Sequence, residues 1–261
     1  MNIDLSGKRV VVAGGSRGIC RSIALAAAKA GAAVSICARG AATLAATRAE
    51  IAAFGHPTHA APCDLASEAE IARYIPAAAE ALGGIDVLVN NATGGGRSDD
   101  EASWDASLDV DLRAVVRASR VALPFLLARP GGSIVNIASG SGLNPSVRNP
   151  AYGAAKAAVI HYTRSQAASL AKQGVRVNCV APGSIEFPGG SWERRKTEAP
   201  ALYNATLANC PRGRMGRPEE VANVVLFLAS PLAEWVTAQI VSVNGGQGLV
   251  LNGLISGNGT V

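Results

Sequence analysis

Short β-branched segments alternate with helical segments along the whole chain, and this alternation restricts the fold more than any other feature. The first segment, Arg9–Ala13, is apolar without polar alternation, as expected of a strand covered on both faces of a parallel sheet. A helix is predicted from Ile19 to Ala30, and a second strand follows at Ala33–Cys37. Because parallel strands need a crossover connection, usually a helix, the pattern predicts an α/β fold built from βαβ units.

The same alternation continues and predicts one doubly wound, seven-stranded parallel sheet with helices on both faces. Five later strands are predicted at His59–Cys63, Asp86–Asn90, Gly132–Ala138, Val175–Ala181 and Ile240–Val243. The longest predicted helices run from about Trp104 to Ala128 and from Ala151 to Gln173. Residues 183–216 are predicted to be irregular, and a long loop in a compact α/β domain is usually a binding loop or a lid.

Length and composition narrow the class of protein. A chain of 261 residues is long enough for one core but short for two catalytic domains, so a single domain over residues 1–261 is predicted. Hydrophobic residues make up 49% and charged residues 16%, which excludes a disordered chain. The sequence contains neither a secretory signal nor an apolar run long enough to span a membrane, so we expect a cytoplasmic protein without membrane contact.

Two further classes of site are not expected. The five cysteines are scattered without the spacing of metal ligands or of a disulfide framework, so no metal is predicted. The formal net charge is +5, but no basic stripe is interleaved with aromatic residues. Nucleic-acid binding is therefore not expected either.

The first strand ends in a glycine-rich turn that precedes a helix. Gly14, Ser16, Gly18 and Ile19 belong to this turn, where missing side chains and the positive helix end let backbone N–H groups approach a phosphate. The spacing differs from the common dinucleotide fingerprint, and Cys20 stands where a third glycine is usual. The turn predicts a nucleotide site; the alternative is a tight strand-to-helix turn without a ligand.

The end of the second strand favours NADP(H) over NAD(H). NAD-binding folds usually place an acidic residue there for the ribose hydroxyls, whereas NADP-binding folds place an arginine for the 2′-phosphate. This chain has Arg39 and no acid, and Arg17 lies in the first turn, so two guanidiniums can flank a 2′-phosphate. The alternative is that Arg39 only solvates the start of a helix.

A second group of residues predicts acid–base chemistry. Tyr152 and Lys156 are four residues apart at the start of a predicted helix, so they project from one face. An ammonium close to a phenol favours the phenolate, which makes a tyrosine usable as a general acid or base. Ser139 ends a strand, at the edge where parallel sheets place residues that contact ligands.

The order and spacing of these motifs resemble the short-chain dehydrogenase/reductase family over nearly the whole chain. Further matching segments are Asp64–Leu65, Asn90–Ala92, Pro182–Gly183, Gly213–Glu220 and Asn244–Gly246. The resemblance implies a Rossmann-type sheet, a nicotinamide cofactor and oxidoreduction at a C–O centre. It also places a substrate lid at residues 184–212.

The resemblance implies a role for each matching residue. Tyr152 would pass a proton to the carbonyl oxygen, Lys156 would favour the phenolate and hold the nicotinamide ribose, and Ser139 would hydrogen-bond the substrate oxygen. The glycine turn is one implied cofactor contact. Asp64 and Leu65 would contact the adenine, and Asn90, Asn91 and Ala92 would contact the adenosine-side ribose. Pro182, Gly183 and Ile185 would contact the nicotinamide carboxamide.

Five positions depart from the pattern of the family, and the first is Ala13, where a threonine is usual. Cys20 and Thr93 replace usual glycines, and Phe187 stands where many members have a threonine that contacts the carboxamide. Asp111 stands at the position of the asparagine that supports a water relay to the lysine. Because a carboxylate there would favour the charged lysine and could still bind the water, Asp111 is retained as a catalytic candidate.

These observations lead to one predicted function and two alternatives. We expect NADPH-dependent reduction of a ketone to a secondary alcohol, with the 3-oxoacyl-(acyl-carrier-protein) reductases as the nearest functional analogy. The substrate is a small carbonyl compound, anionic or carrier-linked if Arg194, Arg195 and Lys196 of the lid contact it. The alternatives are an alcohol, sugar or steroid dehydrogenase working in the oxidative direction, and a catalytically weakened, cofactor-binding regulatory protein.

The long helices predict self-association. Residues 104–128 and 151–173 are apolar on more than one face, and such helices need partners on several sides. In the family these helices form the main dimer interface, and the segment Gly248–Val261 makes another contact. A homotetramer is therefore expected.

Overall fold

The computed structural model describes residues 3–96 and 98–248, and a single parallel sheet runs through this part of the chain. Its strands are β1 (Arg9–Ala13), β2 (Ala33–Ala38), β3 (Thr58–Pro62), β4 (Val87–Asn90), β5 (Ser133–Ile137), β6 (Arg176–Pro182) and β7 (Ile240–Val243). The strand order is β3-β2-β1-β4-β5-β6-β7, with every pair parallel. The predicted doubly wound, seven-stranded α/β fold is confirmed. Strands β1 to β3 are added towards one side of the sheet, and β4 to β7 are added towards the other side, starting next to β1. In such folds, ligands bind in the crevice at the carboxyl ends of the two strands where this order changes, here β1 and β4.

Helices cover both faces of the sheet. They are α1 (Gly18–Lys29), α2 (Ala41–Ala52), α3 (Glu68–Leu82), α4 (Glu101–Ala106), α5 (Ala114–Leu127), α6 (Pro150–Leu170), α7 (Ser191–Glu198), α8 (Pro200–Ala208) and α9 (Pro218–Ala229). Because successive strand residues face opposite sides, Val10 and Val12 of β1 pack with α1, α2 and α9, whereas Val11 and Ala13 pack with α3, α5 and α6. This burial on both faces explains why central strands such as β1 and β4 are continuous apolar runs in the sequence.

The prediction of one α-helix from Trp104 to Ala128 is wrong in its middle. A π-helical segment, Ser107–Arg113, separates α4 from α5. Such wider turns are rare and are frequently found at functional sites, and this one turns Asp111 into the protein interior. A π-helical turn contains about one residue more than an α-helical turn. Hydrophobic periodicity did not reveal it here, because apolar residues continue in the helices before and after the segment.

The prediction of an irregular stretch at residues 183–216 is also wrong, because α7 and α8 lie within it. None of the residues of α7 is fully buried, so the helix has no apolar period that a sequence pattern would reveal. Pro200 begins α8 and separates it from α7, as expected of a residue that disfavours helix at the position before it.

In the described part of the chain, no helix is both long and apolar enough to cross a membrane. Of the segment Gly248–Val261, for which an intersubunit contact was expected, all but Gly248 lies outside the described residues.

Candidate active site

The glycine turn brings backbone N–H groups to the carboxyl edge of the sheet. Gly14 and Gly18 have φ angles of +88° and +55°, which favour glycine. A Cβ on Gly15 would lie 2.4 Å from Cβ of Ile36, so the turn also needs glycine to approach β2. The first turn of α1 has no acidic residue and no side-chain cap, which leaves its N–H groups available to a phosphate.

Cys20 fits into this turn because its thiol contacts the neighbouring loop. Nδ2 of Asn91 donates to Sγ of Cys20 at 3.0 Å, and Sγ lies 3.6 Å from the carbonyl oxygen of Asn91. Burial raises the pKa of the Cys20 thiol to about 12, so the group stays neutral. The substitution of the third glycine therefore brings no negative charge to the phosphate site.

Both candidate 2′-phosphate ligands are accessible. Arg17 and Arg39 are exposed, and neither makes an ion pair or a side-chain hydrogen bond within the described ranges. Arg17 precedes α1, and Arg39 directly follows β2, so both lie at the edge of the sheet where the glycine turn lies. Their guanidinium groups are free to bind an anion.

Lys156 is buried between two oxygen atoms. Its Nζ donates to the carbonyl oxygen of Ile137 at 3.0 Å and lies 3.1 Å from Oδ1 of Asp111. Nζ also lies 5.6 Å from the centroid of the Tyr152 ring. Burial is the largest single influence and lowers the pKa of Lys156, but the nearby Asp111 and Tyr152, together with smaller contributions, outweigh it, so the net pKa lies above its ordinary value. The pair is a charged ammonium beside a phenol, as expected from the sequence.

Ser139 lies on a short turn that packs against the start of α6. Its Oγ accepts the N–H of Ser141 at 3.2 Å, and the side chain is partly exposed. A Cβ on Gly142 would lie 2.7 Å from the backbone carbon of Lys156, and one on Gly153 would lie 3.0 Å from the oxygen of Ser141. The turn therefore contacts the helix that carries Tyr152 and Lys156, which brings the three predicted residues to one region.

Several predicted cofactor residues use their side chains for the protein interior. The amide of Asn90 donates to Oγ of Ser119 at 3.1 Å and to Oδ1 of Asn136 at 2.9 Å. Leu65 and Ile185 are buried in hydrophobic clusters of the core. The amide nitrogen of Asn90 and the side chains of Leu65 and Ile185 thus have their contacts inside the protein.

The other predicted residues lie on segments that follow β1, β3, β4 and β6, at the carboxyl edge of the sheet. Oδ1 of Asp64 accepts the N–H of Ala66 at 3.0 Å, and Ala92 packs against Gly14 of the glycine turn. Pro182 ends β6, and the N–H of Gly183 donates to the oxygen of Val243 at 3.0 Å.

Residues 184–212, the predicted lid, contact the glycine turn and are joined to one another by side-chain contacts. The carboxylate of Glu186 forms an ion pair with Lys196 and accepts the hydroxyl of Tyr203 at 2.8 Å, which joins α7 and α8 to the end of β6. The ring of Phe187 packs on Gly18, where an added Cβ would lie 2.5 Å from the ring. Beside this contact lies a cleft of about 890 Å³, lined by Ser16, Arg17 and Gly18 and by Glu186, Phe187 and Tyr203.

Sequence reasoning missed three contacts in this region. The carbonyl of Ile137 holds Lys156, the N–H of Gly94 donates to Oδ2 of Asp111 at 3.0 Å, and Phe187 packs on the glycine turn. Backbone contacts leave no signature in residue type. The run Gly94–Gly96 was the available signal, because consecutive glycines indicate a close backbone approach.

Comparison with known proteins places these features in a family pattern. A family model described as enoyl-(acyl carrier protein) reductase matches residues 13–247. The 7alpha-hydroxysteroid dehydrogenase of Escherichia coli (strain K12) is 33% identical over 248 residues, which cover 94% of this chain and 96% of that protein. The 3-oxoacyl-(acyl-carrier-protein) reductase of Aquifex aeolicus (strain VF5) is 36% identical over 259 residues, which cover 94% of this chain and 99% of that protein.

Solved structures give the same result. An NADPH-bound short chain oxidoreductase from Pseudomonas aeruginosa PAO1, described as containing an atypical catalytic center, has a TM-score of 0.85 at 34% identity, covering 92% of this chain and 97% of that chain. A variant of actinorhodin polyketide ketoreductase with NADPH has a TM-score of 0.86 at 33% identity, covering 94% of this chain and 99% of that chain.

Proposed function

This chain belongs to the short-chain dehydrogenase/reductase family of oxidoreductases, and on that premise we propose that it uses NADPH to reduce a ketone to a secondary alcohol. The observation that carries the proposal is the buried ammonium of Lys156, held by Asp111 and Ile137 beside the ring of Tyr152. A phenol that exchanges a proton near neutral pH needs such a positive charge close to it.

The residues at the sheet edge fit a dinucleotide phosphate. Uncapped N–H groups begin α1, the turn contains glycines at positive φ, and Arg17 and Arg39 have no counter-charge within the described ranges. The two guanidiniums are the proposed ligands of the 2′-phosphate, and they support NADPH over NADH. The pyrophosphate would be held by the N–H groups of Gly18 and Ile19, and the carboxamide by the backbone from Pro182 to Ile185.

Three side chains perform the proposed chemistry. When bound, NADPH supplies the hydride. Ser139 donates a hydrogen bond to the carbonyl oxygen and so orients the substrate. Tyr152 gives its phenolic proton to that oxygen as negative charge develops on it, and Lys156 stabilises the resulting phenolate.

Two observations support a carbonyl substrate of the ketoreductase type. The reductase of Aquifex aeolicus and the actinorhodin ketoreductase are both named for the reduction of carbonyl groups. The relative from Escherichia coli is named a hydroxysteroid dehydrogenase, which favours oxidation of a secondary alcohol as the second candidate. A catalytically weakened regulatory protein is the third candidate, because Cys20, Thr93 and Asp111 depart from the family pattern.

Parallel fluorescence titrations with NADPH and NADH test the proposal, followed by a carbonyl panel with the preferred cofactor. Tighter binding of NADPH and its oxidation by at least one ketone are the expected results. Tighter binding of NADH would contradict the roles of Arg17 and Arg39. NADPH binding without oxidation by any ketone would favour the regulatory alternative, and turnover only from an alcohol with NADP⁺ would favour the dehydrogenase.

We also propose that the enzyme is a cytoplasmic homotetramer with a single catalytic domain. The exposed or partly exposed residues of α5 and α6 include Val116, Ala154, Ala157 and Ile160, which supports a partner on that side. The exposed lid residues Arg194 and Lys196 support an anionic or carrier-linked substrate, although Lys196 is paired with Glu186.

A further inference from the structure

Asp111 is the buried acid of the π-helical segment, and each of its oxygens faces a different part of the site. Its side chain is fully buried, with an exposed fraction of 0%. Oδ2 accepts the N–H of Gly94 at 3.0 Å, and Oδ1 lies 3.1 Å from Nζ of Lys156. The contact with Lys156 is an ion pair rather than a directed hydrogen bond, since Oδ1 has no hydrogen-bond partner among the described residues.

The Gly94 contact fixes a loop that follows β4. A Cβ on Gly94 would lie 2.1 Å from the carbonyl oxygen of Ala106, and one on Gly96 would lie 2.4 Å from that of Ser103. The backbone of this loop is thus pressed against α4, and Asp111 holds it from the π-helical segment. The π-helical geometry matters because it turns the carboxylate inward, towards both Gly94 and Lys156.

Asp111 supplies the counter-charge of Lys156. The other titratable groups that face this ammonium are Tyr152 on α6, Cys179 on β6 and Cys20 on α1. Burial raises the pKa of Cys20 to about 12 and that of Cys179 to about 11, so both thiols are neutral at working pH. The remaining partner, the carbonyl of Ile137, carries no formal charge.

We propose that Asp111 is a positioning residue that acts through two partners at once: it holds Lys156 as an ammonium and ties the Gly94 loop to the catalytic helix. An asparagine at this position could accept the N–H of Gly94 but would carry no charge. The aspartate therefore extends the pH range over which Lys156 remains charged. Because it also accepts the N–H of Gly94, the same side chain holds both the lysine and the Gly94 loop in place. This proposal rests on the proposed function only for its effect on turnover.

Charge and tether can be separated by two substitutions. Asp111→Asn removes the charge and keeps an acceptor for Gly94, whereas Asp111→Ala removes both. Asp109→Asn is the matched control, because Asp109 lies on the same segment, is partly exposed and pairs with Arg113 on the surface. Circular dichroism and melting temperature establish that each variant is folded before it is compared.

The first measurement follows the ionisation of Lys156 without cofactor or turnover. The chain has only five lysines, so protein labelled with ¹³C at lysine Cε gives five signals, and Lys156→Met assigns one of them. In the native protein, the Lys156 signal should titrate at higher pH than in Asp111→Asn, while Asp109→Asn should leave it unchanged. An unchanged Lys156 titration in Asp111→Asn would overturn the proposal.

The second measurement follows the tether. The amide hydrogen of Gly94 should be protected from exchange in the native protein and in Asp111→Asn, and it should lose at least about tenfold of that protection in Asp111→Ala. Equal protection in all three proteins would overturn the tether. The tether remains testable even if Asp111→Asn and Asp111→Ala have low melting temperatures. It also requires that the Gly94 amide is protected from exchange in the native protein.

The third measurement connects the pair to turnover. In Asp111→Asn, the ratio of kcat/KM at about pH 9.5 to that at about pH 7 should fall below the native ratio, because Lys156 loses its charge at a lower pH without the carboxylate. A native ratio in Asp111→Asn would contradict the link to catalysis. Failure of the proposed function has a different result: the lysine and amide signals respond as expected, but no protein oxidises NADPH with any ketone.

Discussion

At the scale of single residues, the proposed chemistry depends on a buried lysine that was a candidate in the sequence and on partners that were not. Lys156 and Tyr152 were predictable because their spacing places them on one helix face. The carbonyl of Ile137 and the N–H of Gly94 were not predictable, because backbone atoms of any residue type can make those contacts. Asn90 gives the opposite case, since its motif was evident but its amide is used inside the sheet.

Replacement of Tyr152 by phenylalanine tests the proton donor. Without the hydroxyl, kcat should fall about 10²- to 10⁴-fold, the usual contribution of a general acid. The dissociation constant of NADPH, measured by fluorescence, should stay nearly unchanged. Tyr162→Phe is the matched control, because Tyr162 is a partly buried tyrosine of the same helix, and it should keep native turnover. Full activity of Tyr152→Phe would refute the mechanism.

Replacement of Arg39 by aspartate tests the cofactor preference. The dissociation constant of NADPH should rise about tenfold or more, because a hydrogen bond to a charged group contributes about 1.5–3 kcal/mol. That of NADH should fall, since an acid at this position suits the ribose hydroxyls. Arg129→Ala serves as the control, because Arg129 is exposed just before β5, at the opposite edge of the sheet. Parallel loss of both cofactors would contradict the assignment to the 2′-phosphate.

At the scale of elements, the apolar elements were predictable and the polar ones were not. The central strands, such as β1 and β6, follow from buried apolar runs, because burial on both faces fixes residue type. Helix α7 has no fully buried residue, so it lacks the apolar period by which a sequence reveals a helix. The π-helical segment was likewise hidden, because it changes the turn without changing the composition.

The Glu186 carboxylate should control the stability of the lid. Glu186→Gln removes the ion pair with Lys196 and weakens the bond from Tyr203, so KM for the carbonyl substrate should rise about two- to tenfold with little change in kcat. Hydrogen exchange in α7 and α8 should become faster. Glu198→Gln, at the exposed end of α7, should change neither quantity. If the two variants behave alike, Glu186 does not anchor the lid.

At the scale of the whole molecule, the sheet brings every part of the site to one edge. The glycine turn follows β1, Arg39 follows β2, Ser139 lies just beyond β5, and the lid follows β6. These residues are far apart in the sequence, and the parallel arrangement alone makes them neighbours. The fold could therefore be predicted, and the candidate site at this edge follows from it, whereas the shape of the substrate pocket depends on loop contacts.

The proposed tetramer is testable by light scattering. At micromolar concentration the mass should be close to four times the 26.4 kDa of the chain. The physical reason is the apolar character of the α5 and α6 faces that the described part of one chain leaves exposed. A monomeric mass would contradict the prediction, and a dimer would restrict the interface to one of the proposed contacts.

The central claim is direct hydride transfer to a ketone with proton donation by Tyr152. The most direct test uses NADPH that carries deuterium as the transferable hydrogen at C4 of the nicotinamide, with a ketone identified in the carbonyl panel. Mass spectrometry of the alcohol should find one deuterium on the former carbonyl carbon, and Tyr152→Phe should form almost no labelled alcohol. Alcohol without deuterium, or labelled alcohol formed equally fast by Tyr152→Phe, would contradict the account.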